Sequence, residues 1–60
     1  MLSDDLLHGV PAIARFLNAT DRATYHMLHA GKLPGFKKGG RWYARKSEID
    51  AAFRSDAANG

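Results

Sequence analysis

Apolar side chains first recur at helical spacing near the start of the chain. One face of a helix would hold the residues at positions i, i+3, i+4 and i+7 of this segment, which are Val10, Ile13, Ala14 and Leu17. The pattern predicts a helix over residues 10–17, with Pro11 in the first turn, where its missing N–H is not needed. Leu6 and Leu7 come just before this helix, and we expect them to fold back as an apolar lid.

A short turn separates this helix from a second one. Asn18 tolerates the left-handed conformation that closes a helix, and Thr20 is a good N-cap for the next helix. The second helix is predicted over residues 21–30, because Gly31 ends it. The spacing of Thr24, Met27, Leu28 and Gly31 predicts that these residues form a narrow stripe on the side of the helix that faces the core. Two helices joined this closely predict a helix-turn-helix.

A Gly-Gly pair lies between two short runs that contain aromatic residues, which predicts a β-hairpin over residues 36–44. A two-residue loop would pair Lys38 with Arg41 and place Lys37 on the same face as Trp42. A three-residue or bulged loop would change which residues share a face. Both registers are compatible with the sequence.

The last apolar pattern predicts a helix over residues 46–54, whose apolar face is formed by Ile49, Ala52 and Phe53. Of the hairpin residues, we expect Trp42 to pack on the helices, with Tyr43 as the competing candidate. The predicted fold class is mostly α with a small β-hairpin. It is a winged helix-turn-helix, made of a helix-turn-helix, a two-stranded wing and a C-terminal helix. We expect one domain over residues 6–54, with flexible termini at 1–5 and 55–60.

Charge is distributed unevenly along the 60 residues. The formal net charge of +3 divides into −1 for residues 1–30 and +4 for residues 31–60. The segment 32–46 has no acidic residue and six basic ones, namely Lys32, Lys37, Lys38, Arg41, Arg45 and Lys46. Such a block is either a solvated surface or a surface that attracts phosphate groups. Its position in and beside the predicted wing favours phosphate.

The exposed side of the second predicted helix offers groups that could contact base edges. A major groove about 12 Å wide admits one α-helix, and the candidate contacts are Arg22, Tyr25, His26 and His29. Candidate phosphate contacts on and after the hairpin are Lys37, Lys38, Arg41 and Arg45. The alternatives are an ordinary surface helix, a Tyr25 ring that covers the domain edge, and a Trp42 ring that stacks on bases.

Other classes of function find little support in the sequence. There is no cysteine, so disulfides and thiolate metal sites are excluded. His26 and His29 lie at i, i+3, but His8 has no obvious route to them as a third ligand, and no catalytic triad or phosphate-binding loop is found. No apolar run approaches the ~20 residues of a membrane span, and the acidic first residues are unlike a signal peptide. We expect a cytoplasmic protein without catalysis, metal or cofactor.

Several segments together resemble the excisionase-like family of small winged helix-turn-helix proteins, which are related to the DNA-binding part of mercury-resistance-type regulators. The resemblance covers residues 6–54 and is carried by I-A-R-F-L-N-A-T from Ile13, R-A-T-Y-H-M-L from Arg22, A-G-K-L-P from Ala30 and G-G-R-W from Gly39. G-K-L-P followed by G-G-R-W at this distance is its most specific part. The chain departs from the usual family residues at Asn18, Asp21, Thr24 and Lys38.

The resemblance implies that the second helix is a recognition helix and the hairpin a wing. It places Arg22, Tyr25 and His26 at positions that face DNA. It places Lys37, Lys38 and Arg41 near the DNA backbone, and Arg45 at a basic position that often meets phosphate.

The function that the resemblance implies is double-stranded DNA binding, by an excisionase or by a small transcription regulator of a phage or mobile element. An excisionase would have an integrase as its protein partner, and a regulator would have RNA polymerase. No long coiled-coil helix is present, so we expect a monomer in solution that assembles on DNA. The alternative is a protein-interaction module that keeps the fold and does not bind DNA, which Asp21 and the acidic first half would suit.

Overall fold

Helices form most of the chain, with three short strands between them. The structure is a computed structural model that describes the backbone of residues 2–59 and the side chains of residues 4–54. Its elements are α1 Leu2–Asp5, β1 Leu6–His8, α2 Gly9–Leu17, α3 Asp21–His29, β2 Phe36–Lys38, β3 Arg41–Arg45 and α4 Lys46–Asn59. The winged helix-turn-helix prediction is confirmed. The predicted flexibility of the termini includes residues 1 and 60, which lie outside the described residues, and it stays a prediction.

The turn between α2 and α3 has the conformation that its residues predict. Asn18 has a φ of +57°, and its N–H donates to the carbonyl oxygen of Arg15 at 3.2 Å. The Thr20 hydroxyl accepts a hydrogen bond from the N–H of Ala23 at 3.1 Å, which caps α3. At the other end of α3, Gly31 has a φ of +75°. Both predicted boundaries of this helix therefore lie within one residue of the observed ones.

The sheet has one more strand than the sequence predicted. All three strands are antiparallel in the order β1-β3-β2, and Leu7 lies opposite Ala44. The interpretation of Leu6 and Leu7 as an apolar lid was wrong. Their backbone pairs with the edge of β3 that β2 leaves free, while the Leu7 side chain enters the core.

The wing is a hairpin with a two-residue loop. Lys38 lies opposite Arg41, and Lys37 lies opposite Trp42. Gly39 and Gly40 have φ angles of +60° and +78°, and positive φ at both central residues is the requirement of a type I′ turn. The shorter of the two possible registers is therefore the observed one.

A small core lies between the sheet and the helices. Its buried apolar members are Leu7, Ile13, Leu28, Leu33, Ala44 and Ile49. Trp42 packs against this cluster, as predicted, and Tyr43 does not. Phe53 was expected to be buried with Ile49, yet it is 46% exposed, because no described residue covers it on that side of α4.

The end of α1 is tied to the start of α4. The Asp5 carboxylate accepts two hydrogen bonds from Ser47, one from the backbone N–H at 2.9 Å and one from the hydroxyl at 2.7 Å. These bonds satisfy a backbone donor at a helix N-terminus and lower the pKa of Asp5 below its ordinary value of 3.8. Two segments that are distant in sequence are thereby held at one edge of the sheet.

Candidate nucleic-acid interface

The solvent side of α3 carries the four side chains that the sequence singled out on this helix. Arg22, Tyr25, His26 and His29 are all exposed. The Tyr25 ring meets the His29 ring edge-on at 5.4 Å between centroids and the His26 ring at 6.3 Å. Thr24 and Leu28 are buried on the opposite side of the helix and fix its rotation against the core. The helix therefore presents a polar and aromatic surface to solvent.

An open groove of about 540 Å³ separates α3 from the wing. Tyr25 forms part of one wall, and Lys37, Arg41 and Trp42 belong to the other. The first residues of α2, 9–11, close one end. Residues that are distant in sequence thus form one concave surface beside the exposed face of α3.

The N-terminus of α2 adds backbone polarity to this groove. Its N-cap is His8, and no side chain caps the helix. The first N–H groups of a helix have no partner within the helix, and their partial positive charge favours anions. Among residues 9–11, Gly9 and Val10 have such an N–H and Pro11 has none. Together with the cations of Lys37 and Arg41, this end of the groove is suited to an oxygen anion such as a phosphate group.

The predicted phosphate contacts divide into those that border the groove and those that lie outside it. Lys37 and Arg41 border the groove, whereas Lys38 and Arg45 are exposed outside it. Side chains alternate along a strand, so Lys38 lies on the opposite face from Lys37. The structure therefore brings Tyr25, Lys37 and Arg41 together and places the remaining two cations elsewhere.

The cations of α3 and the wing carry unneutralised charge. Within residues 4–54 the salt bridge is that between Arg54 and Asp50 on α4, at 2.8 Å. No carboxylate in this described part lies within salt-bridge distance of Arg22, Lys37 or Arg41. Their charge is thus free to act on an external anion.

The sequence did not single out the contribution of residues 9–11 or of Trp42 to the groove. Trp42 was expected to pack in the core, with stacking on bases as the alternative. It packs against the core and also borders the groove, and its Nε1 is buried without a hydrogen-bond partner among the described residues. The glycine and proline at the start of α2 marked a helix start. They did not reveal that this start lies beside the wing.

The described residues hold neither a metal-binding cluster nor a membrane-spanning helix. The part of the chain with placed side chains has no group of three or more histidine, aspartate or glutamate residues that could hold a metal ion. None of the helices in that part is long and apolar enough to cross a lipid bilayer.

Comparison with known proteins gives a family. Neither the curated proteins nor the solved structures give a match for the chain. A family described as a helix-turn-helix domain matches residues 9–57. The matched residues extend from the start of α2 into α4. They include α3, the wing and the groove between them. This match covers most of the 60 residues and supports binding of double-stranded DNA. The chain therefore belongs to the excisionase-like family of small helix-turn-helix DNA-binding domains.

Proposed function

We propose that the protein binds double-stranded DNA sequence-specifically, with α3 as the recognition helix in the major groove and the wing beside it on the backbone. The observation that carries this proposal is the groove between the exposed face of α3 and the cations of the wing. A helix in the major groove needs a second element that holds the adjacent phosphates, because phosphate contacts fix its register. The wing of this protein supplies that element.

The roles of the α3 side chains follow from their chemistry. Arg22 donates two parallel hydrogen bonds to the O6 and N7 acceptors of a guanine. His26 and His29 donate or accept one hydrogen bond each, and Tyr25 contributes a hydroxyl and an apolar ring edge. All four are exposed, so they reach base edges without unfolding any part of the domain.

The wing contributes affinity that does not depend on sequence. Lys37 and Arg41 lie on the groove side and contact the phosphates nearest to α3. Lys38 and Arg45 are exposed outside the groove and add longer-range attraction to the polyanion. Such contacts release counterions, so the affinity falls as salt rises.

The biological role that we propose is that of an excisionase or a small transcription regulator of a phage or mobile element. One recognition helix contacts only a few base pairs, so specificity requires several protomers on adjacent sites. We propose a monomer in solution that assembles on DNA and there meets an integrase or RNA polymerase. The surfaces of the domain outside α3 and the wing would stay available for direct contact with such a partner.

Selection of bound sequences from a random duplex library, followed by affinity measurements across salt, tests the proposal. With about 4–6 phosphate contacts per protomer, log K against log salt should have a slope of roughly −4 to −5. A motif in direct repeats supports the excisionase, and a palindromic motif supports a dimeric regulator. Absence of enrichment together with a slope near zero would overturn DNA binding and favour a protein-interaction module.

A further inference from the structure

The face of the sheet turned away from the core carries a row of aromatic rings. Because side chains alternate along each strand, this outer face holds every second residue, namely Leu6, His8, Phe36, Lys38, Arg41, Tyr43 and Arg45. The register places His8, Tyr43 and Phe36 side by side across the three strands. The half-buried Tyr43 ring stacks on the Phe36 ring at 5.7 Å between centroids, and the His8 ring lies edge-on to it at 5.4 Å on the other side.

The environment of this aromatic row is basic and open. Phe36 is 42% exposed, although burial of an aromatic ring is strongly favourable. Two exposed cations flank the aromatic row, Lys38 on one side and Arg45 on the other. None of the residues on the outer face is acidic. Arg41 shares the face by alternation and borders the groove at the wing tip, where the two faces meet.

We propose that the outer face binds a single strand of nucleic acid, DNA or RNA, in which a base stacks on the open face of Phe36, at the end of the aromatic row, and whose phosphates lie against Lys38 and Arg45. Rings combined with cations are the groups that such strands require, since every base has a π-face and every link a negative charge. The bases of a duplex are stacked on one another and do not reach these rings. The outer face is therefore selective for unpaired nucleotides.

This surface meets the one proposed for duplex DNA at His8 and Arg41, which also line the groove. Lys37 and Trp42 project from the other face of the same hairpin, towards the groove beside α3. Phe36, Lys38 and Arg45 do not line the groove, so a duplex held there leaves them available to a single strand.

Fluorescence anisotropy with labelled strands of about 10 nucleotides, within the usual site sizes, tests the proposal. We expect oligothymidine or oligouridine to bind the full chain at about 50 mM salt, and the ratio of their affinities identifies the preferred sugar. Phe36→Leu keeps an apolar side chain but removes the ring, and it should lower this affinity about tenfold. Phe53→Leu, at the exposed phenylalanine of α4, is the matched control and should leave it unchanged.

A second measurement tests the proposed phosphate contact and does not depend on the Phe36 ring. Lys38→Gln changes an exposed residue and should lower the salt slope for the single strand by about 0.7. Absence of wild-type binding to both strands would overturn the proposal. So would an equal loss of strand binding in Arg22→Ala, which would place the strand on α3. Duplex binding is measured in parallel, so failure of this proposal is distinguishable from failure of the proposed function.

Discussion

Thr24 lies on α3 and belongs to the buried interior of the domain. Its side chain is fully buried, and its hydroxyl has no hydrogen-bond partner among the described residues. A buried hydroxyl without a partner keeps its desolvation cost with no compensating bond. The departure from the apolar residue usual at this position therefore lowers the stability of the domain.

Removal of that hydroxyl should stabilise the protein. We expect Thr24→Val, which has the same branched shape, to raise the free energy of unfolding by about 1 kcal/mol. For a domain of this size, Tm should rise by roughly 4–8 °C, measured by circular dichroism. Thr20→Val is the contrasting variant, because it removes the hydroxyl that caps α3 and should cost about 1 kcal/mol. A lower Tm for Thr24→Val would show that the hydroxyl is satisfied in solution.

Arg22 is the residue of α3 best suited to distinguish one base from another. We expect Arg22→Ala to weaken binding to the selected site by about 1–3 kcal/mol and to relax specificity at one position. Electrophoretic mobility shifts with cognate and random duplexes measure both effects. Arg15→Ala, an exposed arginine of α2 outside the groove, is the control. Equal weakening of cognate and random DNA by Arg22→Ala would refute the base contact.

Among the elements, the wing carries exposed cations on both of its faces. Lys37 lies on the groove side, and a phosphate contact there carries no sequence information. We expect Lys37→Ala to weaken cognate and random duplexes alike and to reduce the salt slope by about one. Arg54→Ala, on α4, should leave the slope unchanged. A slope that stays constant in Lys37→Ala would remove this lysine from the interface.

The start of α4 depends on a carboxylate from another element. The hydroxyl and N–H of Ser47 stabilise the charged form of Asp5, and its pKa is therefore below 3.8 in the folded chain. With a lowered pKa in the folded state, the stabilisation is complete well above pH 3.8. It is lost as the pH falls through the pKa of the folded state.

Acid unfolding should reveal this contact. We expect Tm of the wild type to fall as the pH is lowered through the acid range below 3.8, and Tm of Asp5→Asn to depend less on pH there. Thermal melts between neutral and strongly acid pH measure the difference. Asp4→Asn changes the neighbouring exposed carboxylate and is the matched control. Identical pH profiles for Asp5→Asn and the wild type would contradict the assignment.

At the scale of the whole molecule, α3 and the wing approach each other closely at Gly35. A Cβ atom at this position would lie 2.6 Å from Cδ2 of Leu28 and 3.2 Å from the carbonyl oxygen of Tyr43. Leu28 belongs to the core and has little freedom to move. The close approach of α3 and β3 at this point therefore requires that Gly35 has no side chain.

We expect Gly35→Ala to destabilise the domain by about 1–3 kcal/mol, because the added methyl group overpacks this contact. Urea unfolding of Gly35→Ala, Leu28→Ala and the double variant measures the coupling between the two positions. The double variant should lose less stability than the two single variants together, since the shorter side chain makes room for the methyl group. Strict additivity would show that the two residues do not clash.

Local patterns in the sequence were sufficient for α2, α3, the start of α4 and the turns, whereas α1 was not predicted and α4 continues to Asn59, beyond its predicted end at residue 54. The spacing of apolar residues gave α2, while Asn18 and Thr20 gave the turn, because these signals act within a few residues. The strand Leu6–His8 escaped prediction, since three residues are too few for a periodic pattern and the partner strand begins at Arg41. Phe53 was misplaced because periodicity gives the face of a helix and not what lies opposite it.

Prediction of the candidate site from the sequence was limited in the same way. The side chains on α3 were predictable from helical periodicity alone. The groove was not, since its walls come from α2, α3 and the hairpin, and only the tertiary fold brings them together. The aromatic row on the outer face depends likewise on the β1 pairing, which places His8 beside Tyr43.

The pairing of β1 with β3 has a consequence for the order in which a ribosome-bound chain acquires its structure. The helices α2 and α3 are contiguous, so the contacts between them are local and need no later part of the domain. Leu6–His8 leaves the ribosome before them, yet its partner Arg41–Arg45 is translated only after α3. Of the three strands of this sheet, the one synthesised first therefore waits for its partner, and the nascent chain exposes Leu7 until then.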